Sequence, residues 1–255
     1  HQVRVDSIEG SIKMTNVSLT YPNQKDATIK QLNLSIAAGE KIAIVGKMGS
    51  GKTSLLRLIA GLYDPTEGSV KIDNSDVTHM HPDDLRNHIG VVMQTPLLFS
   101  GTLKENLLMG NPNATDEEIV KAAKIASVDE IASNLPDGYE TVLSEGGREL
   151  SGGQRQAICV ARAFVGNPKI IIMDEPSSAM DSGSEQQLLN DLKDIIINKT
   201  LILITHRGTL LSLVDRVVVL DSGRILADGP KEKVLQAAAQ QASKMQNSKP
   251  VTKGE

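Results

Sequence analysis

The chain has 255 residues, 40% of them apolar, enough for a sizeable core without disulfides or structural metal. A net charge of −4 with only 2% aromatic residues leaves neither the basic footprint nor the stacking platforms of a nucleic-acid binder. The single cysteine, Cys159, excludes an internal disulfide framework, and no apolar run approaches the ~20 residues of a membrane span.

Residues 1–10 read as a linker or tail. From Ser11 to Tyr21 the apolar positions Ile12, Met14, Val17 and Leu19 suggest a strand, and Tyr-Pro-Asn-Gln marks a turn. Leu32 to Ile36 alternates as a half-exposed strand, followed by the short apolar run Lys41–Val45. Ser54–Ala60 reads as a helix, and Ser69–Ile72 and Ile89–Met93 as strands. His79, His81 and His88 fall in a polar stretch with Asp83 and Asp84, read as a solvated loop and short helix rather than a metal site.

From Gly101 the pattern becomes helical: 102–109, 115–126 and 128–135 have helical spacing, and no strand candidate appears for about forty residues. The helix containing Cys159 starts at a Ser-Gly-Gly turn; the cysteine reads as a small buried hydrophobe. Strand and helix then alternate through Lys169–Met173, Ser184–Ile197, Thr200–Ile204 and Val217–Leu220, which argues a mostly parallel α/β sheet. Residues 230–243 look helical, and the end of the chain is polar.

Three stretches carry chemistry. Gly46-Lys47-Met48-Gly49-Ser50-Gly51-Lys52-Thr53 lies between the Lys41–Val45 strand and the Ser54–Ala60 helix. Strand, glycine loop and helix form the context in which this spacing cradles phosphate, rather than a plain turn with a surface lysine. Lys52 would reach the β- and γ-phosphates and the Thr53 hydroxyl would ligate Mg2+. Ile170–Met173 runs into Asp174 and Glu175, a buried strand ending in two acids. Asp174 would hold Mg2+ through its second coordination shell, and Glu175 would meet the water that attacks the γ-phosphate. Ser151-Gly152-Gly153 at a helix start offers free N–H groups, a hydroxyl and the positive dipole end, a second phosphate-grade site.

These motifs, in this order, resemble the nucleotide-binding domain of ATP-binding-cassette (ABC) proteins over about residues 11–236. Leu150-Ser151-Gly152-Gly153-Gln154 matches the family signature, Lys52-Thr53 the Walker A motif, and Asp174-Glu175 Walker B with its catalytic base. The resemblance implies a P-loop NTPase (RecA-like) fold, with a mixed, mostly parallel sheet core at about 11–95 and 167–240. It adds an antiparallel β subdomain, a helical subdomain at about 96–166 and a polar tail at 241–255.

It further implies that ATP and Mg2+ bind at Gly46, Gly49, Ser50, Gly51, Lys52, Thr53 and Ser54, with Tyr21 stacked on adenine. Mg2+ would be held by Thr53, Gln94 and Asp174; Glu175, His206, Lys52 and Gln94 would be catalytic. Ser151, Gly152, Gly153, Gln154 and the D-loop Asp181 would contact the nucleotide of a second, head-to-tail copy. Residues 1–10 would then lead from a membrane domain at the cytoplasmic face of a bacterial inner membrane.

Gln94 to Asn106 and Glu145-Gly146-Gly147 look like the exporter branch. Ser177 to Asp181 with Ser184-Glu185-Gln186, and Thr205-His206-Arg207 followed by Leu210 to Arg216, are similar to bacterial type I secretion ATPases, which export large RTX-type proteins through a periplasmic adaptor and an outer-membrane channel. Export of lipid, peptide or small molecules is the alternative. A non-transport ABC ATPase is the alternative of another class; it would be expected to carry a coiled-coil insertion or a second cassette, and neither is present here.

Overall fold

The run Ile170-Ile171-Ile172-Met173 has no polar face because the strand it forms is covered on both sides. In the computed structural model, which describes residues 3–247, it belongs to a six-stranded sheet. That sheet uses β3 (Lys41–Val45), β6 (Ile89–Val92), β9 (Ile170–Asp174), β10 (Thr200–Ile204), β11 (Arg216–Asp221) and β12 (Arg224–Pro230). Their order is β12-β11-β3-β10-β9-β6, parallel except for the antiparallel edge pair β11/β12.

Side chains alternate across this sheet with the strand period of two. Ile171, Met173, Leu201, Leu203 and Val217 enter one apolar cluster with α6 (Gly152–Phe164) and α7 (Ser182–Ile195). Ile170, Ile172, Ile202, Ile204 and Val218 enter a second, against α1 (Lys52–Ile59) and an antiparallel sheet. That smaller sheet has the order β2-β1-β4-β5, from β1 (Ile12–Leu19), β2 (Ile29–Ile36), β4 (Glu67–Ile72) and β5 (Ser75–Asp76). The alternation at Leu32, Leu34 and Ile36 marks the buried face of β2, with Asn33 and Ser35 exposed.

Between β6 and β9 lie α3 (Leu103–Leu108), α4 (Asp116–Ala123), α5 (Val128–Ser133) and α6. Helices α3 and α4 begin with reciprocal capping boxes at Thr102/Glu105 and Thr115/Glu118. The stretch without an expected strand contains one short ladder, β7 (Gly101–Thr102) with β8 (Val142–Leu143). Strand β12 was also unmarked by sequence: its residues are only half-buried or exposed at the sheet edge, so no apolar alternation announces it. Cys159 is buried in α6, and burial pushes its thiol upward.

Residues 3–10, within the stretch read as a linker or tail, are docked on the rest of the chain. The Asp73 carboxylate accepts from the backbone N–H groups of Glu9, Gly10 and Ser11, and Asp84 accepts from that of Val5. Thr200 Oγ1 donates to the Gly10 carbonyl, fastening the segment to the larger sheet as well. Helix α2 (Pro82–His88) takes His81 as its N-cap, and His88 bonds the Val5 carbonyl. Helix α8 (Gly208–Leu211) follows β10, and α9 (Lys231–Asn247) closes the described chain. The polar tail expected from 241 is therefore helical to Asn247, while 248–255 lie outside the described residues.

Candidate nucleotide site

Parallel strands bring their C-terminal ends to one edge, where open α/β sheets bind ligands. Because β3, β10, β9 and β6 are neighbours, the segments following them gather Gly46–Thr53, His206, Glu175 and Gln94 side by side. A cleft of about 580 Å3 runs along this edge, lined by Gly49, Gly51, Lys52, Thr53, Ser54, Gln94, Asp174, Glu175, Ser178 and His206. Thr28 and Met48 also line it. No sequence signal marked Thr28, and Met48 occupies a variable position of the glycine loop.

The glycines of the loop have different reasons. Gly51 caps α1 at φ +102°, a left-handed conformation that an L side chain adopts only under strain. At Gly46 a Cβ would stand 2.3 Å from the Leu220 carbonyl oxygen, so close packing on β11 requires the missing side chain. Lys52 Nζ donates to the Gly46 and Lys47 carbonyls at 2.7 and 2.9 Å, holding the ammonium over the loop, with Ser50 Oγ 3.5 Å away. The first N–H groups of α1 have no intrahelical acceptors and supply the rest of an anion cradle.

Thr53 Oγ1 donates to Asp174 Oδ2 at 2.8 Å. Burial pushes the Asp174 carboxyl up, while the Thr53 bond and the Lys52 charge act in the opposite direction. Next to it, Glu175 holds φ +48°, the left-handed region, with its N–H donating to the Ile204 carbonyl. Its Oε2 accepts from the His206 backbone N–H at 3.4 Å. Its buried Oε1 lies 3.4 Å from His206 Nε2 and finds no hydrogen-bond donor among the described residues. An orphaned carboxylate oxygen at the mouth of a phosphate cradle is suited to receive a water. Thr53, Asp174 and exposed Gln94 present the hard oxygen donors that suit Mg2+, so the residues fit that ion.

Two expected contacts are engaged within the chain. The Tyr21 hydroxyl bonds Ser54 Oγ at 2.8 Å, and its ring meets Tyr63 edge-on at 5.1 Å. Asp181 is the N-cap of α7, its carboxyl held low by the Ser184 N–H it accepts from.

The signature residues lie elsewhere. Ser151, Gly152, Gly153, Gln154 and Asp181 line a separate cleft of about 740 Å3 with Ser127, Glu130 and Asn134. Ser151 and Gln154 form a reciprocal capping box, so the hydroxyl accepts from Gln154 N–H and keeps its own proton to donate outward. The chain thus brings Lys52, Thr53, Gln94, Asp174, Glu175 and His206 together, and places Ser151–Gln154 apart from them.

Two polar residues to which the sequence assigned no role of their own bridge the clefts. Buried Gln156 bonds the Glu175 carbonyl, Ser178 Oγ and the Ala179 N–H. Arg207 bonds the Ser178 and Met180 carbonyls and the Glu185 carboxylate.

Residues 29–178, more than half of the chain, match the protein family described as ABC transporter. The chain is 40% identical over 227 residues to a protein of Staphylococcus aureus (strain NCTC 8325 / PS 47) named as a multidrug export ATP-binding/permease protein. The match covers 89% of this chain and 39% of that relative, and a counterpart in strain COL gives the same figures. A solved bacterial Atm1-family ABC exporter with ATP bound superposes with a TM-score of 0.85 at 33% identity, over 95% of this chain and 45% of that one. The chain therefore spans about two fifths of the length of the curated relatives it matches. With its phosphate loop, acidic strand end and signature helix all inside the matched stretch, the chain belongs to the ABC transporter family, as an ATPase domain of the P-loop fold.

Proposed function

We propose that this chain is the ATP-hydrolysing motor of an exporter, acting as a head-to-tail pair with a second copy. One observation carries the reading: the residues expected to meet the γ-phosphate and those of the signature line two separate clefts of the same chain. Two copies facing each other would set the cradle of one against the signature of the other, completing both sites. Lys52 and the loop N–H groups would neutralise the β- and γ-phosphates, and Glu175 would orient the attacking water. His206 would contact the γ-phosphate, and Ser151 would donate to it from the partner copy. Mg2+, held by Thr53, Gln94 and Asp174, would supply charge neutralisation between the phosphates. Tyr21, which does not line the cleft, would stack on adenine.

The relatives are named as ATP-binding/permease proteins, which supports membrane helices in a companion segment; no helix among the described residues is long and apolar enough to cross a membrane. Their name also favours small-molecule cargo. The comparisons give no support to RTX-type protein secretion, its periplasmic adaptor or its outer-membrane channel. Phosphate release with Mg-ATP tests the motor: Lys52→Ala should lose ATP binding, and Glu175→Gln should bind ATP without turnover. Turnover by Glu175→Gln at the wild-type rate would overturn the assignment of the base.

A further inference from the structure

Gln156 is 1% exposed, yet both of its amide protons and its carbonyl oxygen are engaged. Nε2 donates to the Glu175 carbonyl at 3.0 Å and to Ser178 Oγ at 3.1 Å, and Oε1 accepts from the Ala179 N–H at 2.9 Å. All three partners lie on the turn between β9 and α7, the turn that begins with Glu175 in its left-handed conformation. Such a backbone persists only where its surroundings over-determine it. Here the Glu175 N–H is fixed by Ile204, and its carbonyl accepts from the Ser178 N–H at 3.2 Å within the turn and from the Gln156 side chain outside it. The direction in which the Glu175 carboxylate leaves the backbone therefore depends on Gln156 as well as on the turn's own bond.

The same side chain stands on the signature helix. Gln156 follows Gly152 and Gly153 by one helical turn and shares their face. That face meets Ala179 closely: a Cβ on Gly153 would lie 3.1 Å from the Ala179 carbonyl oxygen, and one on Gly152 would lie 3.4 Å from its methyl. The Ala179 segment is thus gripped at its N–H by Gln156 and at its carbonyl by the small residues that line the larger cleft. A shift of the first turn of α6 would be transmitted to the Glu175 turn through this packing and through the buried Gln156 amide.

We propose that Gln156 is a positioning residue for hydrolysis: it sets the aim of Glu175 and links that aim to the state of the cleft at Ser151–Gly153. This rests on the ATPase reading above.

The test uses Gln156→Met, which keeps the volume without the polar atoms, in the full chain with Mg-ATP, with turnover normalised to bound nucleotide. Misplacement of a catalytic group by about 1 Å costs about a hundredfold, so a fall of about ten- to a hundredfold in kcat is expected, with KM and bound ATP per chain held within about twofold. Gln156→Glu supplies a second readout that survives poor folding of the first. The introduced carboxylate keeps the acceptor for Ala179 but offers the Glu175 carbonyl no proton until it is itself protonated, and burial raises its pKa. Its activity relative to wild type should climb as pH falls from 8 to 6.

Unchanged kcat per bound ATP in Gln156→Met, or a flat activity ratio across that pH range in Gln156→Glu, would overturn the proposal. If wild type itself does not hydrolyse ATP, or Ser151→Ala leaves its rate unchanged, the motor reading fails instead.

Discussion

Thr53 Oγ1 and Asp174 Oδ2 meet at 2.8 Å although 121 residues separate them. The bond ties the first turn of α1 to the end of β9 and puts a buried carboxylate beside the phosphate loop. Burial raises the Asp174 carboxyl, so its ionised form opposes folding at neutral pH. The cost is absent below the unfolded carboxylate range and grows as pH rises through the folded value. Asp174→Asn is therefore expected to raise the thermal midpoint at pH 7.5, by about 2–4 °C per kcal/mol relieved, while abolishing Mg-ATP turnover. Calorimetry beside phosphate release checks it; a lowered midpoint at neutral pH would contradict the electrostatic account.

Lys199 is 6% exposed, and its ammonium bonds the Asn167 side-chain oxygen and the Pro168 carbonyl at 2.7 and 2.5 Å. Both acceptors are neutral. Burial, with Lys169 and Lys121 nearby, lowers its pKa to about 8. Between about 8 and the ordinary lysine value near 10.4 the unfolded chain binds more protons, so this group makes stability rise with pH. Below about 8 the full cost is present. Urea midpoints at pH 7.5 and 9.5 should climb in wild type and show a smaller climb in Lys199→Met. Equal slopes for the two proteins would show that Lys199 titrates like an exposed lysine.

Arg207 holds three groups at once, the Ser178 and Met180 carbonyls and the Glu185 carboxylate, which also accepts from Ser177 Oγ at 2.5 Å. Burial would push the Glu185 carboxyl up, but bonds from Ser177, Thr209 and Arg207 keep it below its ordinary value. Its stabilising contribution is thus present above the unfolded carboxylate range and lost as pH falls through the folded value. Arg207→Ala, which leaves a buried carboxylate short of a donor, should cost about 1–3 kcal/mol at pH 7.5 and less at pH 4. Denaturant titrations at the two pH values decide this, and a penalty independent of pH would contradict it.

The phosphate loop was legible because local signals agree there: β-branched strand, glycines at fixed spacing, then helix formers from Lys52. The acidic end of β9 was legible for the same reason. The docking of residues 3–10 was not, since Asp73 and Asp84 reach them across 62 to 79 residues and nothing in their own composition shows it. The β7/β8 ladder has two residues per strand, too few for any periodicity to develop. No role was legible for Gln156 or Arg207, because a single polar residue beside a motif reads as solvated until its partners are known. That the signature and the phosphate loop occupy different clefts depends on tertiary placement, which spacing along the chain does not encode.

The most direct test of the two-copy account is the solution mass of Glu175→Gln with and without Mg-ATP. Two sandwiched nucleotides must shift the equilibrium from mostly separate to mostly paired, which needs about 5.5 kcal/mol of differential binding. Sedimentation should give one chain, 27.3 kDa, without nucleotide and twice that mass with it. A Ser151→Ala exchange in the same background should weaken the pairing. A protein that binds Mg-ATP stoichiometrically yet keeps the single-chain mass at high concentration would contradict the account.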